Sequence, residues 1–68
     1  MTDTARLRNA IDVRGIKYTH IAKSVGLSYY GLLKKIENDS EFKASEITKI
    51  SEILSLSNKD RDAIFFAK

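Results

Sequence analysis

Apolar residues recur at spacings of three and four from one end of the chain to the other, and β-branched residues nowhere alternate in period two, so the pattern predicts helices and no strand. A first helix over about 3–14 is capped by Thr2 or Asp3. It turns Leu7, Ala10, Ile11 and the stem of Arg14 inward, and it stops at Gly15, with Ile16 packing back from the loop. A second, over about 18–25, places Ile21, Ala22 and Val25 on one face and meets Gly26. Leu27 is then a buried turn residue. Ser28 caps a third helix over 28–37, whose inward stripe is Leu32 and Ile36. Asn38 to Glu41 is polar turn chemistry, and Phe42 behind it is an anchor dropped into the core. Ser45 caps a fourth helix, 44–55, expected to be the most buried. It points Ile47, Ile50, Ile53 and Leu54 inward and keeps Glu46, Lys49 and Glu52 on the wet side. Ser57 opens a fifth over 58–66, where Asp60 and Asp62 suit the positive end of the helix dipole. It closes on Ile64, Phe65 and Phe66. Three adjacent large apolar residues cannot all face inward on one helix, so at least one is exposed.

Length narrows this to an all-α, five-helix, single-domain reading of residues 1–68. A chain of this size buries only about 60% of its unfolded surface, which leaves no room for a deep catalytic cleft. The absence of cysteine excludes disulfides, thiolate metal sites and cysteine nucleophiles, and fits a reducing compartment. No apolar run approaches the roughly 18 to 20 residues of a membrane span, and Met1 to Arg14 lacks a signal-peptide core. A soluble, cytoplasmic protein without membrane contact is the expectation. The net charge of +3 is unevenly distributed. Residues 1–36 carry seven Lys or Arg against two acids, a net of +5, whereas residues 37–68 carry five bases against seven acids, a net of −2. A polyanion should therefore approach the N-terminal half.

The block from Tyr18 to Ile36 combines a small Ala22 in one helix, a turn at Gly26, and Leu27 and Leu32 locking the next helix at a steep angle. That arrangement suits a helix-turn-helix, whose second helix projects its N-terminal end into a DNA major groove. Phosphates can sit at the N-terminus of its first helix. The pattern Ile21-Ala22-x-x-x-Gly26-Leu27-Ser28-x-x-x-Leu32, an amphipathic helix before it, and Ile47-x-x-Ile50-x-x-Ile53-Leu54-x-Leu56-Ser57 after it, together resemble the phage repressor and Cro-type, lambda-repressor-like helix-turn-helix family over residues 5–66. The segment from Glu41 to Lys68 is further similar to small single-domain Cro-like phage regulators of Gram-positive bacteria.

The resemblance implies a transcriptional repressor in a phage or prophage genetic switch, bound to double-stranded operator DNA as a homodimer. Base contacts would come from Ser28, Tyr29, Tyr30 and Lys34, and backbone contacts from Lys17, Tyr18, Thr19, Lys35 and Asn38. The chain departs from the family at Tyr18, where glutamine is frequent, and at Asn38 and Asp39, where a glycine followed by a basic residue is common. Chemically, a tyrosine offers a hydroxyl and a ring edge for a thymine methyl, and lysine can donate to guanine O6 and N7. Gly31 costs its helix about 1 kcal/mol relative to alanine, and close approach to DNA or to a partner helix would account for it. Phe65 and Phe66 are a candidate dimer or partner surface. A second reading keeps the fold as a protein-interaction module, such as an antirepressor that binds another regulator. His20 has no second ligand at metal spacing, and the chain has no nucleophile elbow, phosphate cradle or paired carboxylates, so neither metal, cofactor nor enzymatic activity is expected.

Overall fold

A computed structural model describes all residues 1–68. It contains five helices and no strand: α1 (Thr4–Arg14), α2 (Tyr18–Ser24), α3 (Tyr29–Ile36), α4 (Ala44–Ile53) and α5 (Asn58–Phe65). Each lies within two residues of the boundaries that periodicity and caps predict.

The starts follow from side-chain chemistry. The carboxylate of Asp3, and the hydroxyls of Ser28 and Ser57, each accept a hydrogen bond from an amide in the first turn of the helix they precede. One start differs from expectation. Lys43, not Ser45, is the residue before α4, and Ser45 lies inside the first turn. Its cap is supplied from the other direction, by Glu46 Oε1 accepting from the Lys43 amide at 2.8 Å.

The ends of α1 to α4 share one device. Residues 15, 26, 38 and 55 are all left-handed, with φ of 64°, 74°, 65° and 53°. In every case the left-handed residue and its successor donate amides back to the last turn: Gly15 to Asp12 and Ile16 to Ile11, Gly26 to Lys23 and Leu27 to Ala22, Asn38 to Lys35 and Asp39 to Lys34, Ser55 to Glu52 and Leu56 to Ser51. These paired bonds satisfy carbonyls that the helix itself leaves free. Glycine supplies the conformation without strain at 15 and 26 and asparagine tolerates it at 38, but Ser55 adopts it with a Cβ in the way.

The core is one cluster of eleven buried apolar residues: Leu7, Ala10 and Ile11 from α1, Ile21 and Ala22 from α2, Leu32 and Ile36 from α3, Ile50 and Leu54 at α4, and Ile64 and Phe65 from α5. Phe42 does drop back as an anchor, its ring edge-on to Phe65 at 5.3 Å. Three expectations fail. Arg14 lends no stem to the core; its guanidinium donates to the carbonyls of Leu54 and Ala10 and so ties α1 to the end of α4. The helix α4 is not the most buried, because Ile47 and Ile53 are only half-buried. Glu46, placed on the wet side by its spacing, is buried against Lys35.

Candidate nucleic-acid interface

The helices α2 and α3 pack directly on one another across the short turn 25–28, with the buried methyl of Ala22 permitting their approach. Gly26 takes the turn's positive φ, and Leu27 is half-buried beneath it. At the start of α3 the Ser28 hydroxyl accepts from the Gly31 amide at 3.0 Å. A Cβ on Gly31 would lie 3.1 Å from that same oxygen. Within the chain, then, the neighbour that crowds this position is the helix's own cap.

The two ends of α3 are held very differently. At its C-terminal end Thr4 donates its hydroxyl to the Ile36 carbonyl at 2.6 Å, and Arg8 donates to Glu37 at 2.7 Å. The Asn38 amide exchanges two 2.9 Å hydrogen bonds with the backbone of Thr2, while Lys35 donates to Glu46 at 2.6 Å. Thr2 is itself buried, and the next amide, Asp3, donates to the Ile64 carbonyl of α5. The extended N-terminal segment is thus stitched between α3 and α5. The N-terminal end of α3 has no such links. Tyr29 and Tyr30 stand edge-on to each other at 5.7 Å, 43% and 76% exposed, and Lys34, one turn beyond Tyr30, is exposed on the same side.

This arrangement sorts the sequence candidates. Ser28, Tyr29, Tyr30 and Lys34 are exposed along the outer side of α3, and Lys17 and Thr19 are exposed at the start of α2, where no side chain caps the helix. Tyr18 is half-buried, with the Arg8 guanidinium 5.6 Å from its ring centroid and donating to its hydroxyl at 3.4 Å. Glu37 first, and the Tyr18 hydroxyl second, raise the Arg8 pKa. Two expected backbone contacts are occupied elsewhere. The Lys35 ammonium is engaged by Glu46, and the Asn38 amide exchanges hydrogen bonds with Thr2. Phe65 is also corrected: it is 4% exposed and belongs to the core, leaving Phe66, at 57%, as the outward aromatic of the pair.

Four participants carried no sequence signal for these contacts. Thr2, Thr4, Arg8 and Glu46 act on α3 and the turn after it from segments at least eleven residues away, and no local spacing announces such pairs. Asn38 did carry one, since asparagine after a helix tolerates the left-handed turn found there.

Electrostatically, Lys34 is the one exposed cation within α3. The loop that follows presents exposed Asp39 and Glu41. No group of three or more His, Cys, Asp or Glu residues could hold a metal ion, and no helix is long and apolar enough to cross a membrane. No protein-family model matches the chain, and no curated protein or solved structure matches it either.

Proposed function

We propose that the chain is a sequence-specific DNA-binding regulator of the phage repressor and Cro type, with α2 and α3 as its helix-turn-helix and α3 as the helix that enters the operator major groove. The observation that carries this reading is the asymmetry of α3. Its C-terminal end is fastened by side chains of α1 and α4 and by the backbone of Thr2, while Ser28, Tyr29, Tyr30 and Lys34 project free. A helix with its side chains is about 10–12 Å across and a major groove about 12 Å wide, so such an end can reach base edges. Lys34 then donates to guanine, the tyrosines contact a base or a thymine methyl, and Lys17 and Thr19 hold phosphates beside the α2 start. Two copies reading half-sites one helical turn apart would complete a two-fold operator complex, with Phe66, just past α5, at or near their contact.

The test is binding to duplexes enriched by the protein from a random-sequence pool, against shuffled duplexes, at two salt concentrations. The expected result is salt-sensitive binding that keeps its preference. Lys34→Ala and Tyr30→Ala should each cost about 1–3 kcal/mol on the enriched duplex and less on the shuffled one. Equal losses on both would make these residues backbone contacts.

A second reading, a module that binds another regulator protein, is favoured by the neutralised Lys35, the exposed acids that follow α3 and the exposed tyrosine pair. A folded protein with no duplex preference at either salt concentration would select it.

A further inference from the structure

Lys35 lies on α3 one residue beyond Lys34, yet its side chain is only 12% exposed and its ammonium lies 2.6 Å from a Glu46 carboxylate that is 8% exposed. The same Glu46 oxygen accepts from the Lys43 amide at 2.8 Å. One carboxylate therefore joins the body of α3 to the first turn of α4. Leu32 and Ile36 anchor α3 on the core, and Thr4, Arg8 and Thr2 hold its C-terminal end and the turn after it, but none of those hydrogen bonds reaches α4. The ion pair adds a directional link between α3 and α4 that can oppose rotation of α3 about its own axis, and fixing register is the best-attested use of such a pair. Rotation matters here. A turn of about 20° moves side-chain tips at a radius of about 6 Å by about 2 Å, enough to break a hydrogen bond to a base.

We infer that Lys35 and Glu46 are positioning residues: their ion pair sets the rotation of α3 on α4, and hence the aim of Tyr29, Tyr30 and Lys34, and Lys35 is not a phosphate contact. This deepens the DNA-binding reading and rests on it. Glu46 is held in its charged form. Burial pushes its pKa upward, but hydrogen bonds from Lys35 and the Lys43 amide, with the charges of both lysines, outweigh burial and leave it below the usual glutamate value. Its charge cancels that of Lys35 as seen from outside, so the basic count of α3 overstates the charge available to DNA.

The experiment compares Lys35→Met, Glu46→Gln and the double variant K35M/E46Q. Each single change strands a buried partner and lowers the melting temperature. The double change strands neither, because the side-chain carbonyl that E46Q introduces still accepts from the Lys43 amide, and melting recovers. Four readouts follow: melting, preference for the duplex enriched by the wild-type protein over a shuffled one, the slope of log K against log salt, and the amide resonances of Tyr29 and Tyr30. The expected outcome for the double variant is recovered melting, preference reduced tenfold or more, an unchanged salt slope and displaced Tyr29 and Tyr30 resonances. Recovery of preference together with melting, or unmoved resonances, would reduce the pair to a fold-holding contact. A salt slope shallower by about one for Lys35→Met would restore Lys35 as a phosphate contact and overturn the inference. If the wild-type protein enriches no duplex, the DNA reading itself falls. The resonances then decide the positioning role alone, their displacement supporting it and their constancy refuting it.

Discussion

Asn38 performs two tasks that substitution can separate. It holds a left-handed turn at φ 65°, and its side-chain amide exchanges two 2.9 Å hydrogen bonds with the backbone of the buried Thr2. Asn38→Gly keeps the turn and removes only the clasp. Two hydrogen bonds at about 0.5–1.5 kcal/mol each, less a gain of some tenths from the unstrained turn, give an expected net loss of about 1–2 kcal/mol. Asn38→Ala removes the clasp and also forces a Cβ into left-handed backbone, which adds about 1–2 kcal/mol for a total of about 2–4. In a domain this small, 1 kcal/mol shifts the melting midpoint by about 4–8 °C, so thermal unfolding followed by circular dichroism resolves the three proteins. Amide exchange at Thr2 and Asp3 should accelerate in both variants, since both release the N-terminal segment. An Asn38→Gly variant as stable as the wild type, with Thr2 still protected, would refute the clasp. Equal stability of the glycine and alanine variants would refute the strain argument.

Ser55→Gly should raise stability by about 1 kcal/mol, because it relieves a left-handed serine whose side chain makes no hydrogen bond in the structure; a lowered urea midpoint would contradict this. Phe65→Ala should cost about 3–5 kcal/mol through loss of a buried ring stacked edge-on to Phe42, whereas Phe66→Ser should change monomer stability by no more than about 0.5 kcal/mol and lower any self-association seen by analytical ultracentrifugation. The pH dependence has a definite sign. Glu46 is held below its ordinary value in the folded chain, so its contribution to stability is complete above the unfolded glutamate value of about 4.3 and is lost as pH falls from there through the lowered folded value. Urea midpoints measured from pH 7 to pH 3 should fall less steeply in Glu46→Gln than in the wild type.

Helix positions were legible in the sequence because every helix carries a start or a stop signal of its own. Asp3, Ser28 and Ser57 act where cap chemistry places them, and Gly15 and Gly26 turn the chain where glycine allows. Periodicity likewise placed Leu7, Ile11, Ile21, Leu32, Ile36 and Ile50 in the core. It failed at Glu46, whose position looks exposed when helical spacing and polarity are weighed alone. Burial there is permitted by Lys35, eleven residues earlier, and a partner at that distance enters no local pattern. The same limit explains Lys35 and Asn38 in the candidate interface. Both have residue types suited to phosphates, and both are taken by groups that only the folded chain brings near. Phe65 and Phe66 illustrate a third case: adjacency required an outward residue at this helix end, and the tertiary packing, with Phe42 edge-on to Phe65, leaves Phe66 as that residue.

The repeated left-handed helix ends bear on how quickly the molecule forms. Each stop is closed by hydrogen bonds reaching back three to five residues, so the ends of four of the five helices are specified by local contacts. The connections between helices are short, and closing them costs little chain entropy. A helical chain dominated by such local closures should reach its native state within microseconds to milliseconds. The seating of Thr2 between the end of α3 and α5 is, by contrast, a closure that must bring the start of the chain against both its middle and its last helix.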